Sequence, residues 1–476
     1  MHQHTANTLI SPVRNFVERH HTELLDDLVA WVAIPSISAD PHHRADVAAS
    51  AQWFATALRR TGFSTVEIWP TPGHPAVFAE WNSVDPDAPT VLVYGHHDVQ
   101  PVEPLEQWSH PPFEPTMVGA GSDTQLLGRG VIDDKGQLAF HLLGLRAHLA
   151  ATGGSAPAVN LKFIVEGEEE SGSPHFAKLL AQHRDRLACD VIVVSDTTMF
   201  NEQTPSVCTG MRGMVTCQID IAGPRIDLHS GIFGGAVPNP AHVLADLLAG
   251  LHDAQGTVAI PGFYDSVVPL TSAERENYAR LPFNEAEWLV GTAVSSGVFG
   301  ERGYSTLERI GARPTAEVNG VWSGHTGAGF KTIIPASAHA KVSFRLVADQ
   351  EPSTVLELFR RYVAERAPAS VRAEVSTEGD GVRPCSTPID HPANQALARA
   401  MSRAFETDVL FTREGGSGPE ADLAETLGAP LVFLGVGLPD DRFHAPNERV
   451  RLRFLYKGAE AAAYLWSELA GLGTSH

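Results

Sequence analysis

The sequence predicts an α/β protein with a mainly parallel sheet, into which a smaller α+β unit is inserted. Three observations predict it. Short apolar strands such as Val191-Ile192-Val193-Val194 alternate with helical segments through the first part of the chain, the pattern of a sheet covered on both faces. Near Arg212 the pattern changes: from Met214 to Ala222 the residues Val215, Cys217, Ile219 and Ile221 fall on one side, as in a half-exposed strand. The α/β pattern then resumes. A chain of 476 residues exceeds one compact core, so two domains are expected. The first is formed by residues 1–212 and 384–476, and the insert spans residues 213–383.

Each element has its own signal. Apolar residues recur at helical spacing from Leu9 to Val32, and Pro35 stops that helix. Asp46 to Arg60 repeats the pattern with Val47, Trp53, Phe54, Ala57 and Leu58, and Gly62 ends it. Strands are expected at Thr65 to Trp69, Val77 to Trp81, Thr90 to Tyr94, Leu161 to Val165 and Val191 to Val194. Helices are expected at Gln137 to Leu149 and Pro174 to Gln182. In the insert, the strand from Met214 precedes a helix from Pro240 to Leu251. Gly256 to about Gly329 reads as a long irregular stretch rich in Gly and Pro. A strand (Ala338 to Val347), a helix (Ser353 to Arg366) and a strand (Val371 to Ser376) follow. The closing elements are a helix from Asn394 to Phe405, a strand from Leu431 to Leu434 and a helix from Leu455 to Leu469.

Composition narrows the function. Hydrophobic content of 43% and charged content of 19% fit an ordinary globular protein. The net charge of -21 argues against nucleic acid or an anionic membrane as partner. Cys189, Cys208, Cys217 and Cys385 form no CxxC pair, so buried thiols in a reducing compartment are expected. Met1-His2-Gln3-His4-Thr5-Ala6-Asn7 has no signal-peptide pattern. No apolar run is long enough to span a bilayer, so the cytoplasm is the expected location.

The chemistry lies in four motifs and a late histidine. They are Gly95-His96-His97-Asp98-Val99, Gly130-Val131-Ile132-Asp133-Asp134-Lys135-Gly136, Glu166-Gly167-Glu168-Glu169-Glu170-Ser171-Gly172 and Ser195-Asp196-Thr197, with His444 in Phe443-His444-Ala445-Pro446-Asn447-Glu448. Most follow an apolar strand, and ligands of open α/β sheets gather beyond the carboxyl ends of strands. His96 and Asp98 are two apart, so one can bind a cation while the other accepts its second ring N–H. Taken singly, each motif has a plain explanation. Asp133-Asp134 and Asp196 would cap helices, and the three glutamates would form a solvated acidic loop. Taken together they offer the imidazole and carboxylate donors that suit zinc and similar ions.

On these motifs the chain resembles the M20 metallopeptidases, most closely their dipeptidase branch. The resemblance extends to Asp227-Leu228-His229-Ser230-Gly231, Lys331-Thr332-Ile333-Ile334-Pro335, Ser343-Phe344-Arg345-Leu346-Val347 and Arg413-Glu414-Gly415-Gly416-Ser417. It implies two divalent metal ions, zinc in the usual case and manganese or cobalt in others. Asp133 would bridge them, His96 and Asp196 would complete one site, and Glu170 and His444 the other. Glu169 would be the general base, and Asp98 the partner of His96. The α/β unit would be the di-metal catalytic domain and the insert a lid and dimerisation domain. His229 would stabilise the oxyanion in the site of a second subunit, and Arg345 would grip the substrate carboxylate. Thr332, Gly416 and Ser417 would add polar contacts. The implied reaction is hydrolysis of dipeptides or short peptides by a homodimer.

Two rivals share these residues. A deacylase acting on N-acyl amino acids would use the same ligands, although the length of the insert and the His229 context favour the dipeptidase branch. A non-catalytic binding protein on the same fold is expected to have lost a ligand or the base, yet every position is filled. Gly415-Gly416-Ser417-Gly418-Pro419 lacks the last glycine of a nucleophile elbow. Gly297-Val298-Phe299-Gly300-Glu301-Arg302-Gly303 has the wrong spacing for a dinucleotide loop.

Overall fold

A computed structural model describes residues 9–294 and 297–472; the Met1–Asn7 reading lies outside them. The central sheet has nine strands. Eight run in the order Thr65–Trp69, Ala76–Trp81, Asn160–Glu166, Thr90–His96, Val191–Val194, Leu431–Phe433, Ser206–Met211, Cys385–Ser386, and Leu410–Glu414 also pairs with Ser206–Met211. Its middle is parallel: Thr90–His96 runs alongside both Asn160–Glu166 and Val191–Val194, and Leu431–Phe433 alongside Val191–Val194.

The period-two geometry of strands explains why these runs are apolar throughout. Val91, Val93, Phe163 and Val193 face one core with the helices Lys135–Thr152 and Leu452–Ala470. Leu92, Tyr94, Ile164 and Val194 face a second core, which also holds Phe176, Leu180 and Leu423. Each buried large side chain contributes about 1.5–3 kcal/mol.

The second sheet is antiparallel, in the order Thr315–Ser323, Ser337–Leu346, Gly213–Ala222, Arg372–Ser376. Val215, Cys217, Ile219 and Ile221 point into its own core with Leu244, Leu247, Phe359 and Val363 of the helices Pro240–Ala249 and Pro352–Arg366. The opposite face carries Arg345.

The structure corrects several readings. The first helix is two, Ile10–Arg19 and His21–Val32, because His20 leaves helical geometry and its Nδ1 lies 2.7 Å from Phe16 O. The stretch from Gly256 to Gly329 is not irregular. It contains the helices Ser272–Arg280, Glu285–Gly291 and Thr306–Ala312 and the strand Thr315–Ser323. Two of these helices begin in reciprocal caps, Thr271 with Glu274 and Ser305 with Glu308. They are short and polar, so periodicity hides them. The strands Ser206–Met211 and Leu410–Glu414 and the helix Glu420–Leu427 were also not anticipated, nor was a small sheet ordered Arg449–Arg451, Gln125–Leu127, Thr116–Val118. No helix among the described residues is long and apolar enough to cross a membrane.

The helix Lys135–Thr152 starts immediately after Asp133-Asp134 and is buried from Lys135 to Leu145. It packs on Leu452–Ala470, which follows the His444 loop. Gly144 lets them approach: a Cβ there would lie 2.6 Å from Ala459 O and 2.8 Å from Ala462 Cβ. Helix propensity alone favours Gly144→Ala by about 0.8–1 kcal/mol, whereas overpacking costs about 1–3 kcal/mol. Gly144→Ala is therefore expected to lower the denaturation midpoint; a higher midpoint would show that the helices separate freely.

Candidate metal centre

Three neighbouring parallel strands deliver the acidic and histidine motifs to one rim. His96 ends Thr90–His96, Glu166 ends Asn160–Glu166, and Asp196 lies two residues beyond Val194. Asp133 arrives from the turn before the buried helix. It does not act as that helix's cap: Asp134 holds the cap position without a side-chain cap bond, and its Oδ2 accepts the His96 N–H at 3.2 Å. Asp196 lies on a non-helical segment, so its capping explanation also fails.

Asp133 sits at the middle of the cluster. Its Oδ1 is 3.1 Å from His96 Nε2, and its Oδ2 is 3.0 Å from His444 Nε2. His96 Nε2 is also 3.5 Å from Asp196 Oδ2, and His444 Nε2 is 3.1 Å from Glu170 Oε2. Two groups able to hold a cation result, His96 with Asp133 and Asp196, and Asp133 with Glu170 and His444. Within each group the donor atoms lie within 4.8 Å of one another. Asp98 supports both: its Oδ1 is 3.4 Å from His96 Nδ1, and its Oδ2 accepts the Glu170 N–H at 3.1 Å. His97 points away, with Nε2 2.9 Å from Pro75 O, and burial lowers its pKa to about 4.

The three consecutive glutamates separate. Glu168 turns aside to His175 Nδ1, 3.0 Å away, and to the Thr71 hydroxyl. Glu170 enters the cluster. Glu169 lines a cleft of about 830 Å³ between the two sheet units, shared with Phe176, Leu356, Arg360 and Ser417. Gln100, not singled out by the motifs, donates to Glu170 Oε2 at 2.7 Å. Glu414 accepts from the Thr198 N–H and hydroxyl beside Asp196, and burial raises its pKa to about 7. Both residues lie in motifs whose neighbours drew attention, but an isolated polar residue carries no spacing signal.

Electrostatics follow from crowding carboxylates in a buried space. Burial, together with the nearby Asp133, raises Glu170 to about 7. Burial also raises Glu169 well above the carboxylate range, with Asp196, Glu170 and Asp133 adding to it. The carboxylates Asp133 and Glu170 raise His444 to about 11. Burial would lower His96, but Asp133, Asp196 and Asp98 outweigh it and hold its pKa well above the usual value.

The residues from the insert are placed differently. Arg345 Nη1 donates to Ser417 Oγ at 3.0 Å, and Ser417 Oγ donates to Arg212 O at 2.5 Å. Gly416 is exposed nearby in sequence. His229 is exposed on a separate ladder, Leu228–His229 with Ile333–Ile334, and its Nδ1 accepts the Gly231 N–H. Thr332, also exposed, precedes the second strand, and its O accepts the Ser230 N–H. The single chain thus joins Arg345 to Ser417 but leaves His229 facing outward.

Imidazoles and carboxylates gathered at the rim of a mainly parallel sheet fit the class of metal-dependent hydrolases, and similarity to known proteins places the chain in it. A family model described as peptidase family M20/M25/M40 matches residues 92–468, and the chain belongs to that family. It is 30% identical over 482 residues to the Beta-Ala-His dipeptidase of Homo sapiens, covering 98% of this chain and 93% of the relative. It is 32% identical over 464 residues to a Cys-Gly metallodipeptidase of Candida albicans, covering 93% of each. The solved structure of the dipeptidase Dug1p from Saccharomyces cerevisiae superposes with a TM-score of 0.73 at 28% identity, covering 97% of this chain and 98% of that one.

Cation binding here must displace protons. In the metal-free protein burial and Asp133 raise Glu170, and the Asp133 and Glu170 carboxylates raise His444, so protons compete with a cation at this cluster near neutral pH. Adding a divalent ion is expected to release protons, and the apparent affinity should rise between pH 6 and 8. Calorimetric titration in two buffers of different ionisation enthalpy measures this; an affinity that falls with pH would contradict the geometry.

Proposed function

We propose that the protein hydrolyses the amide bond of dipeptides or short peptides, using two divalent ions that share Asp133. The observation that carries this reading is the two-sided use of Asp133, one oxygen toward His96 and the other toward His444. The donor set suits zinc, with manganese or cobalt as alternatives. It also fits a cation for a second reason. Glu170 Oε1 is buried without a hydrogen-bond partner among the described residues, and a buried carboxylate oxygen left so is costly. His96 and Asp196 would hold one ion, Glu170 and His444 the other.

Ions bound there would supply Lewis-acid polarisation and lower the pKa of the attacking water. The chain's own residues do the rest. Glu169, at the cleft, is raised by burial and its carboxylate neighbours, and cations held beside it would favour its ionised form. Ionised, it takes the proton from the water and returns it to the leaving amine. The main-chain O of Asp98, 3.1 Å from His96 Nδ1, accepts its N–H, with the Asp98 carboxylate 3.4 Å away, fixing the tautomer that presents Nε2. Arg345 meets the substrate carboxylate with the part of its planar fork not used on Ser417, and Thr332, Gly416 and Ser417 add polar contacts. The relatives named as dipeptidases support a dipeptide over an N-acyl amino acid as substrate.

His229 is read as an oxyanion donor to the site of a second copy, in a homodimer. Its outward position on the insert supports this, as does its setting: Ile232 and Phe233 follow it in sequence and Phe330 lies two residues before Thr332, all exposed, and exposed apolar groups of this size are common at interaction surfaces. The position of the antiparallel sheet, wholly between Gly213 and Ser376, supports a domain division at residues 212 and 383. Four unpaired cysteines support a reducing, cytoplasmic setting.

A panel of dipeptides and N-acyl amino acids, assayed on metal-loaded protein, tests the substrate class. Dipeptides should turn over fastest, and Glu169→Gln should lower kcat by about 10²–10⁴-fold with metal content unchanged. Preferred turnover of N-acyl amino acids would favour the deacylase. A second experiment addresses the shared site. Subunits bearing His229→Ala and Glu169→Gln, each inactive alone, should regain activity when mixed, because a heterodimer rebuilds one complete site. Verified heterodimers with no activity would remove the role of His229 in a second subunit.

A further inference from the structure

We infer that Glu448 is a positioning residue of the metal centre: its buried carboxylate forms the loop that presents Asp133 and ties it to the loop that carries His444. The inference rests on the dinuclear reading above and adds a residue that touches neither ion nor substrate.

The Asp133 side is a cradle of donors. Residues 128–134 leave the strand Gln125–Leu127 and reach the helix Lys135–Thr152 as a buried segment without regular structure, so its N–H groups need other partners. Glu448 provides them. Its carboxylate accepts the N–H of Gly130 at 3.0 Å on both oxygens, of Ile132 at 3.1 Å and of Asp133 at 3.2 Å, all but one of these on Oε1. Arg129 Nη1 donates to Oε2 at 2.7 Å, giving the buried charge a counter-ion. Arg129 is itself held by Pro101 O at 3.1 Å. Glu448 is 0% exposed.

The His444 side is anchored through the same residue. Glu448 O accepts the Gly128 N–H at 3.0 Å, and the next residues, Arg449–Arg451, pair with Gln125–Leu127. Asn447 accepts from Ser109 at 2.7 Å and donates to Gln107 O at 2.8 Å. His444 and Asn447 both have positive φ, 56° and 62°, conformations that persist only where the surroundings enforce them. Glu448 therefore joins the supports of Asp133 and His444, whose side chains meet at 3.0 Å.

A carboxylate is the right group because every partner is a donor. A Gln side chain would turn an NH₂ toward the Arg129 guanidinium or the Gly130 N–H. An Asp side chain keeps the charge but is one carbon shorter. His96 depends less on this cradle, since its strand and Asp98 hold it. The group of Asp133, Glu170 and His444 should suffer first.

The test strips metal from the full-length protein and titrates it with Zn²⁺ or Mn²⁺ alone. Wild type should take up two ions. Glu448→Gln should bind the ion of Asp133, Glu170 and His444 about 10–100-fold more weakly and the ion of His96 and Asp196, which shares Asp133, with a smaller loss, with Glu448→Asp in between, and both should unfold cooperatively. A folded Glu448→Gln that binds both ions like wild type overturns the inference. Wild-type protein that takes up only one ion overturns the dinuclear reading instead. Should neither variant fold, hydrogen exchange of residues 128–135 in metal-free wild type decides: slow exchange, as with ions present, supports a loop formed in advance, and fast exchange overturns it.

Discussion

The structure turns on keeping several carboxylates close together in a space with little water. Asp133, Glu169, Glu170 and Asp196 are brought to one rim, where burial and the neighbouring carboxylates raise Glu169 and Glu170. Two imidazoles relieve part of that cost, and Asp133 is held well below the usual carboxylate range despite its burial because His444 and His96 flank it. Everything around the rim serves this arrangement. The parallel strands deliver side chains from three directions, the buried helix after Asp134 fixes a fourth, and the loop before Leu452–Ala470 brings the fifth. A di-cation site is the chemistry that such a cluster is built to satisfy.

The second sheet unit is joined to the first by more than its two chain crossings. Asn277 exchanges two hydrogen bonds with the backbone of Phe411, at 2.6 Å and 2.9 Å, and Glu274 pairs with Arg413. Tyr278 and Ala312 of the polar helices, with Leu281 just after the first of them, share a small apolar cluster with Leu410. Arg413 immediately precedes Glu414, whose carboxylate caps Thr198 near Asp196. The insert is thus packed on a strand that itself leads to the metal rim. Arg345 adds a contact on the cleft side through Ser417. The cleft is therefore walled by both units, and its floor includes the proposed base.

Much of the fold was legible because period-two and helical patterns are local. The parallel strands and the long helices declared themselves through Val191–Val194 or the apolar face of Asp46 to Arg60. The helices Ser272–Arg280 and Thr306–Ala312 did not, because their few apolar side chains serve a contact with the distant strand Leu410–Glu414. Their capping pairs, Thr271 with Glu274 and Ser305 with Glu308, were the local sign available. Strands of two or three residues, such as Arg449–Arg451, have no periodicity to read.

The sequence by itself determined which residue types could meet at the ends of strands, because an apolar run followed by His or Asp is visible without coordinates. It did not decide which glutamate of three enters the cluster. Tertiary packing did: Glu168 is drawn off by His175, Glu170 is held toward His444 by Gln100 and the Asp98 bond to its N–H, and Glu169 is left at the cleft. It also did not mark Glu448, whose partners lie more than three hundred positions earlier. Hydrogen bonds to backbone N–H groups leave no trace in residue identity, so only the folded chain reveals them.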